Sequence, residues 1–256
     1  NDAVNSCWMP DSHRLNYKYI NAETRIPQPV IRTDAEAPHR PSTWEPALAS
    51  AAEAVKRIAP NQLAIIASGR MTNEELYMVR HLAAQIGTDM VDIVPRMGES
   101  DGMLISADRN PNTNGARLVL GIEPGSRLDA IREGVRSGSV KGILTLGEDL
   151  TSPEAGFTAE ELDKLDYLFM TAHSANETAR HADLVLPGVT YAEKFGTMIN
   201  VTGRIQRLNR AIQPIGYARD DWQIFRDITL LLGGNPALKN FNSALDILTA
   251  MSTEYG

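Results

Sequence analysis

The residues best suited to do chemistry lie close together in the last third of the chain. Glu193, Gly196 and Thr197 are followed at short intervals by Asn200 and Arg204. Glycines, amides, hydroxyls and a guanidinium are the groups that hold a phosphate through hydrogen bonds. The same side chains could instead bond one another and the backbone to order a long loop. The residue types therefore support two interpretations, a phosphate-binding loop and a purely structural one.

Two turns with small residues are further candidates for contact with a nucleotide. Ser68 and Gly69 follow the apolar run at 63–67, and Gly147 follows the run at 142–146. In doubly wound sheets, ligands collect at the carboxyl ends of strands, where backbone N–H groups are free. Glycine also lets a strand reverse into a helix with no ligand present. The turns alone do not decide between these roles.

Common catalytic and metal-binding motifs are missing. The sequence has no P-loop, no G-x-G-x-x-G, no G-x-S-x-G and no H-E-x-x-H. The histidines are scattered, and a metal at His173 and His181 lacks a third ligand nearby. The single cysteine, Cys7, cannot form an internal disulfide or hold an iron–sulfur cluster, which needs about four thiolates. We therefore predict no metal site and a structural role for Cys7.

Alternating apolar runs and amphipathic segments predict the elements that position these residues. Strands are expected at 63–67, 90–94, 118–120, 142–146, 167–171 and 184–187, with helices between them and two more helices at 221–232 and 243–251. Thr72 and Glu75 predict a capping box for a helix that ends at Gly87. Long loops are expected at 98–115 and 188–217. The pattern predicts an α/β fold of three layers, α/β/α, with a mostly parallel sheet.

Residues 1–45 differ from the rest because they have no hydrophobic period and carry five prolines. We predict an extended, largely irregular arm there. Residues 46–256 are predicted to form the α/β domain. Similar turns after two of its strands suggest two related half-domains, at about 46–115 and 116–256.

Charge and hydropathy limit the partners. The chain has 25 Lys and Arg against 32 Asp and Glu, a net charge of −7, which argues against nucleic-acid binding. The apolar runs fall far short of the roughly 20 residues that cross a bilayer, so we predict no direct membrane insertion. The sequence begins with Asn1 and has no secretory leader. We expect a fragment or processed product in the cytoplasm.

Three blocks of sequence resemble a known superfamily. Residues 177–222 read ETARHADLVLPGVTYAEKFGTMINVTGRIQRLNRAIQPIGYARDDW, which resembles the molybdopterin oxidoreductase pattern almost continuously. With VNSCWMPDSHRLNYKYINAETRIPQPVIR at 4–32 and DRNPNTNGA at 108–116, the chain is similar to the C-terminal, molybdopterin-like region of the large iron–sulfur subunit of NADH:quinone oxidoreductase, complex I. The resemblance implies a formate dehydrogenase/DMSO reductase-like domain.

The departures from this superfamily suggest a lost activity. No Cys, selenocysteine or Ser ligand for molybdenum or tungsten is visible, nor a cysteine-rich cluster segment. We therefore expect no catalytic residues and no cofactor in this chain. The resemblance implies a vestigial cofactor site, formed by Ser68, Gly69, Gly147, Glu193, Gly196, Thr197, Asn200 and Arg204. We expect the long loops to fill it, with Phe195, Met198, Ile199 and Ile205 as apolar residues and Arg204 paired to Glu193, Asp101 or Asp108.

The resemblance implies a structural part of a respiratory complex that transfers electrons from NADH to quinone. Iron–sulfur clusters would then lie in the N-terminal part of the same polypeptide. Its partners would be other subunits of the peripheral arm of complex I, and its location cytoplasmic and peripheral to the inner membrane. Two alternatives remain open. One is a domain of a catalytic molybdopterin enzyme such as a formate dehydrogenase, with a molybdopterin dinucleotide; the other is a free nucleotide-binding module.

Overall fold

The computed structural model describes residues 2–32 and 37–255. Their strands are β1 (Val30–Ile31), β2 (Arg40–Pro41), β3 (Leu63–Ala67), β4 (Val91–Ile93), β5 (Gly142–Leu146), β6 (Tyr167–Ala172), β7 (Leu184–Pro187), β8 (Gly196–Ile199) and β9 (Ile205–Leu208). Their helices are α1 (Asp11–Arg14), α2 (Trp44–Arg57), α3 (Asn73–Ile86), α4 (Thr113–Leu120), α5 (Leu128–Ser137), α6 (Ala159–Leu162), α7 (Glu177–His181), α8 (Asp221–Leu231) and α9 (Ala244–Tyr255). Short 3₁₀ turns lie at 18–21, 60–62, 191–193 and 236–240.

The main sheet is mostly parallel. Its strand order is β2-β1-β7-β6-β5-β3-β4, and every pairing from β7 to β4 is parallel. β1 runs antiparallel to both of its neighbours. Because strands β3 to β7 are joined through helices, they can run in the same direction and bring their carboxyl ends to one edge. That edge carries the candidate site.

Each face of the sheet buries its own apolar layer. Along β3, the side chains of Leu63, Ile65 and Ala67 join one cluster and those of Ala64 and Ile66 join the other, as strand alternation requires. The first cluster includes residues of α2, α3, α4, α8 and α9, and the second includes residues of α5 and α7. The predicted three-layer α/β fold is therefore confirmed.

Local signals in the sequence explain where several helices start and end. Thr72 and Glu75 form the predicted capping box of α3, which ends at Gly87 with φ +80°. Thr158 and Glu161 cap α6 in the same way. Helix α5 stops at Gly138, whose φ of +78° suits glycine alone without strain.

The strand predicted at 118–120 is wrong, because these residues belong to α4. Ala116 and Val119 are buried three positions apart, whereas Leu118 between them is 52% exposed. That spacing follows a helix, and a short apolar run alone does not distinguish helix from strand. The last residues of the loop predicted at 98–115, from Thr113 onward, accordingly belong to α4.

The second predicted loop, 188–217, contains regular structure. Strands β8 and β9 form an antiparallel hairpin, a separate two-stranded sheet. Strand β8 packs on α3, α4 and α9. The hairpin escapes prediction because its alternation is weak, and its stability comes from this packing rather than from local pattern.

The amino-terminal segment takes part in the main fold. Within the predicted arm 1–45, β1 and β2 extend the sheet beyond β7, and α1 and a 3₁₀ turn precede them. Residues 1 and 33–36 of this arm lie outside the described part. The two expected half-domains share one sheet, since β3 pairs directly with β5. Their expected boundary at 115/116 falls inside α4.

Within residues 2–32 and 37–255, every helix is too short or too polar to cross a membrane.

We expect the stability of the protein to depend strongly on one aromatic side chain of the core. Phe169 in β6 is 1% exposed. Phe169→Ala should lower the free energy of unfolding by about 3–5 kcal/mol, because it removes buried surface and leaves a cavity. Leu118→Ala, on the exposed side of α4, should change it by less than about 1 kcal/mol. Denaturant titration measures both, and equal losses would contradict the assigned core.

Candidate functional site

The candidate site lies at the carboxyl edge of the parallel strands. Ser68 follows β3, Gly147 follows β5, His173 follows β6 and Gly188 follows β7. The segment from Glu193 to Thr197, which we call the signature loop, crosses near the same edge. Every polar side chain of this loop points into the protein, and its partners come from four different parts of the chain.

Thr197 ties the loop to the first turn of α3. Its N–H donates to Oε2 of Glu74 at 2.8 Å and its hydroxyl donates to Oε1 at 2.9 Å. The amide of Asn73 donates to the same hydroxyl oxygen at 3.0 Å. Burial raises the pKa of Glu74 despite these bonds. One buried carboxylate thus fixes the start of β8 against α3.

Asn112, which is completely buried, joins the loop from the other side. Its amide donates to the carbonyl of Met71 at 2.7 Å and to Oδ1 of Asn73 at 3.0 Å. Its own Oδ1 accepts the N–H of Ile199 at 2.7 Å. This one side chain therefore connects the turn after β3, the start of α3 and the end of β8.

Lys194 is a buried cation between two carboxylates. Its Nζ lies 2.7 Å from Oε1 of Glu75 and 3.6 Å from Oδ2 of Asp221. Burial by itself lowers the pKa of a lysine, but the two carboxylates outweigh it and raise the pKa of Lys194. Burial raises the pKa of Asp221 to about 6. The cation links the signature loop to α3 and α8.

Glu193 is held by the amino-terminal segment. Nη2 of Arg25 donates to both carboxylate oxygens, at 2.9 and 2.7 Å, and both side chains are almost fully buried. The carboxylate also accepts from the N–H and hydroxyl of Thr190 and from the N–H of Ile215. Burial opposes ionisation, but these bonds keep the pKa of Glu193 below its usual value.

Three aromatic side chains lie beside the Arg25–Glu193 ion pair. The ring of Tyr19 lies 5.2 Å from the ring of His173 and 6.3 Å from that of Tyr191, measured between centroids. Nε of Arg25 donates to the His173 carbonyl at 3.0 Å. Burial and the nearby cations lower the pKa of His173 to about 4, so its ring is neutral at pH 7.

The other predicted residues at this edge serve packing and turn formation. The Ser68 hydroxyl accepts the N–H of Arg70, and the N–H of Gly147 donates to the Thr171 carbonyl. A Cβ on Gly69 would lie 2.6 Å from the side chain of Asn110, and one on Gly196 would lie 2.6 Å from that of Thr72. At both positions the lack of a Cβ lets another side chain of the protein pack directly against the backbone.

Asn200 and Arg204 lie apart from the buried cluster. Asn200 orders the β8–β9 turn, where its Oδ1 accepts the N–H groups of Thr202 and Arg204. Arg204 is exposed. Its expected pairing is wrong, because Glu193 pairs with Arg25, and Asp101 and Asp108 accept backbone N–H groups of their own loop.

The expected apolar filling of the edge is also largely wrong. Of the four predicted residues, only Ile199 is buried, whereas Phe195 is 44% and Ile205 64% exposed and Met198 is intermediate. Buried ion pairs and amides occupy the interior positions instead. The hairpin turns the apolar side chains outward because its inner edge is anchored by polar contacts.

Sequence reasoning missed the partners of the signature loop. Arg25 is 168 residues from Glu193, and no local pattern marks it. Glu74 and Glu75 looked like ordinary first-turn acids of α3. These partners leave no local signal in the sequence, because each lies far along the chain from the loop residue that it pairs with.

Two cavities lie near the site. A cavity of about 330 Å³ between the hairpin and α9 is lined by Glu74, Phe195, Thr197, Arg207 and Leu248, among others. Another, of about 340 Å³, lies beside Phe195 and Arg210. Neither touches Ser68, Gly69 or Gly147. Within the described ranges, no group of three His, Cys, Asp or Glu side chains is arranged to hold a metal ion.

A mostly parallel sheet between two helical layers, with a long polar loop fixed at its carboxyl edge, defines a doubly wound α/β domain. Enzymes that use nucleotides and cofactors commonly have such domains. The comparisons with known proteins agree with this class. Residues 109–229, just under half of the chain, match the molybdopterin oxidoreductase family model. This part of the chain is similar to molybdopterin oxidoreductases, which confirms the resemblance seen in the sequence.

Relatives agree with this family. A putative formate dehydrogenase from Staphylococcus haemolyticus is 32% identical over 134 residues, 52% of this chain and 14% of the relative. The NADPH-Fe(3+) oxidoreductase subunit alpha from Geobacter sulfurreducens is 35% identical over 133 residues, 51% of this chain and 16% of the relative. The matched region is thus a small part of each relative.

The fold has a counterpart among solved structures. Acetylene hydratase from Pelobacter acetylenicus superposes with a TM-score of 0.56 and 10% identity, over 89% of this chain and 64% of that chain. At this identity the likeness concerns the fold alone. It supports the expected formate dehydrogenase/DMSO reductase-like fold class.

The buried ion pair gives a stability prediction with a matched control. Arg25→Ala should lower the free energy of unfolding by about 3–5 kcal/mol, because it leaves the Glu193 carboxylate buried without its cation. Arg204→Ala should change it by less than about 0.5 kcal/mol, since that guanidinium is exposed. Urea denaturation of both variants tests this, and a larger loss for Arg204→Ala would refute the assigned network.

Because His173 is neutral in the folded protein, we expect the stability of the protein to depend on pH. Its pKa is about 4 in the folded protein and about 6.5 unfolded, so the unfolded state binds more protons between these values. Acidification from pH 7 to 4.5 should therefore lower the free energy of unfolding of the native chain by roughly 1–3 kcal/mol more than it lowers that of His173→Phe. This variant keeps an aromatic ring beside Tyr19. His13→Phe, at an exposed position, is the control. Parallel stability curves for native chain and His173→Phe would disprove the prediction.

Proposed function

We propose that this chain is a non-catalytic, structural domain of the large iron–sulfur subunit of NADH:quinone oxidoreductase, derived from a molybdopterin enzyme. The observation that carries the proposal is the buried Arg25–Glu193 pair, which joins the amino-terminal segment to the signature loop at the edge where such sheets bind ligands. The chain acts as a scaffold whose electron carriers lie elsewhere in the subunit and the complex.

The polar groups that resemble a phosphate cradle are engaged within the fold. Glu193 is bonded to Arg25 and Thr190, and Thr197 to Glu74 and Asn73. A ligand phosphate would have to replace these bonds, and it would meet the carboxylates of Glu74 and Glu193. Removing a partner from a buried charge costs several kcal/mol, so the loop favours its internal contacts.

Gly69 and Gly196 at this edge do not fit a molybdopterin dinucleotide either. A ligand-binding glycine leaves room for close approach of the ligand to the backbone. Here the space at Gly69 belongs to Asn110 and the space at Gly196 to Thr72. The Oδ1 atom of Asn110 is buried without a partner, but it is a hydrogen-bond acceptor and would repel a phosphate oxygen. We therefore assign no reaction step to this cofactor here.

A domain of a working molybdopterin enzyme is the second candidate. It is favoured by the names of the Staphylococcus relatives, which are putative formate dehydrogenases at 32–33% identity over about half of this chain. Under this alternative the edge would open to admit the dinucleotide, with the Arg25–Glu193 pair broken. The free nucleotide-binding module is the third candidate, and no observation favours it over these two.

A binding experiment distinguishes the three candidate functions. We expect the purified chain, expressed in cells that make the molybdenum cofactor, to contain less than about 0.1 molybdenum or tungsten per chain, because the edge is closed by buried pairs. We also expect no change in its NMR amide shifts with millimolar GDP. A stoichiometric metal would favour the enzyme domain. Shifts at Ser68, Gly69 and Gly147 without metal would favour the nucleotide module.

Association with complex I subunits tests the structural role directly. Co-expression with the other subunits of the peripheral arm, as part of the complete iron–sulfur subunit, should give an assembled arm. Arg25→Ala should lower its yield in proportion to the lost stability, with Arg204→Ala as the control. Normal assembly when residues 109–229 are replaced by an unrelated folded domain would contradict the proposal.

A further inference from the structure

Glu74 differs from the other buried glutamates of the described residues because no cation pairs with it. A lysine or arginine lies within ion-pair distance of each of the others, Glu75, Glu148, Glu161 and Glu193. Glu74 is 1% exposed, and its carboxylate accepts from the N–H and the hydroxyl of Thr197, which are neutral donors. A buried carboxylate without a cation is costly. The fold thus leaves one negative charge here without a counter-ion.

The position of Glu74 in a helix does not replace the missing cation. Glu74 lies in the first turn of α3, where the amino-terminal end of the helix offsets part of a negative charge. Glu75 lies in the same turn and Glu161 in the first turn of α6, yet both also have a cation. Glu74 is therefore the exception among residues in the same setting.

Arg207 is a cation without a carboxylate, directly across the hairpin from the residue that holds Glu74. Thr197 and Arg207 are partners in the register of β8 and β9, so their side chains lie on the same face. Arg207 is exposed, and no carboxylate of the described residues pairs with it, whereas Arg210 nearby pairs with Asp220. The charges of Glu74 and Arg207 are thus both unpaired and lie on neighbouring positions.

Both charges line the cavity of about 330 Å³ between the hairpin and α9. Apolar side chains line it as well, Phe195 from the signature loop and Leu245 and Leu248 from α9. Small-molecule sites begin at about this volume, and they combine apolar walls with a few polar groups that fix the orientation of the ligand. The cavity therefore suits a small ligand with an apolar body and two opposite charges.

We propose that this cavity binds a small aliphatic amino acid in its zwitterionic form. The ammonium group of the ligand donates to Glu74, its carboxylate accepts from Arg207, and its side chain packs among Phe195, Leu245 and Leu248. An α-amino acid carries both charges on one carbon, which suits two protein charges at neighbouring positions. The proposal goes beyond the structural role proposed above and does not depend on which oxidoreductase contains the domain.

Charge favours a zwitterion over a simple acid or amine. An aliphatic acid satisfies Arg207 but brings a second negative charge towards the carboxylate of Glu74. An aliphatic amine satisfies Glu74 and leaves Arg207 without an anion. A zwitterion pairs with both groups, and hydrogen bonds between charged groups are about twice as strong as those between neutral ones.

The test titrates the full chain, labelled with ¹⁵N, with leucine and with two analogues that each lack one charged group. We expect millimolar leucine to shift the amide signals of Thr197, Arg207 and Leu248. The analogues are 4-methylpentanoate, which lacks the ammonium group, and 3-methylbutylamine, which lacks the carboxylate. Each should bind at least about tenfold more weakly, because one bond between charged groups is lost. Leucine should also lower the pKa of Glu74, because a nearby cation favours the charged form.

Two arginines of the hairpin provide a variant and its matched control. Arg207→Ala should weaken leucine binding by about tenfold or more. Arg204→Ala changes an exposed arginine that does not line the cavity, so it should leave binding nearly unchanged. Glu74→Gln should remove the preference for leucine over 4-methylpentanoate. If Glu74→Gln melts early, Leu245→Gln, at a position that is 62% exposed, should weaken leucine binding through loss of the apolar wall.

Four results would each overturn the proposal. They are the absence of amide shifts with millimolar leucine, binding of 4-methylpentanoate as tight as that of leucine, equal losses of affinity in Arg204→Ala and Arg207→Ala, and a loss of stability of the free protein in Arg207→Ala that Arg204→Ala does not share. The last result would show that Arg207 itself neutralises Glu74, so that no charge is left for a ligand.

Discussion

Two adjacent residues of opposite charge, Glu193 and Lys194, are both buried, and the rest of the edge is arranged to neutralise them. Glu193 ends the 3₁₀ turn at 191–193 and Lys194 is extended, so the two side chains reach different parts of the fold. Glu193 therefore finds Arg25 on one side, and Lys194 finds Glu75 and Asp221 on the other. An unpaired buried charge costs several kcal/mol, so these partners must be held in place. The requirement fixes the amino-terminal segment, α3 and α8 against one loop.

This constraint explains why the carboxyl edge has little room for a ligand. The groups that satisfy the charges also occupy the space, and amides such as Asn112 connect them to the backbone of β8. Gly196 is needed where Thr72 and Glu74 approach the loop most closely. The polar residues of the signature loop serve the integrity of the domain, and its one apolar side chain, Phe195, is 44% exposed.

The elements with strong local signals were predictable, and those held by distant contacts were not. Strand β5 and helix α3 have the predicted form because a continuous apolar run and a capping box each specify their structure within a few residues. Helix α4 was misassigned because Leu118–Leu120 is too short to show a period. The β8–β9 hairpin was missed because Thr197 and Ile199 are positioned by side chains of α3 and the 110–112 region.

The three-layer α/β class, the parallel strands and the superfamily could all be inferred from sequence, since they depend on hydrophobic period and on contiguous motif residues. The motif also pointed to Glu193 and Thr197 as polar residues with a special environment. Their binding partners became known only from the folded chain. Arg25 lies 168 residues from Glu193 and Glu74 lies 123 residues from Thr197. Partners so far apart in the chain meet through the path of the strands, and the cost of burying a charge selects them only once the sheet and its helices have brought them within hydrogen-bond distance.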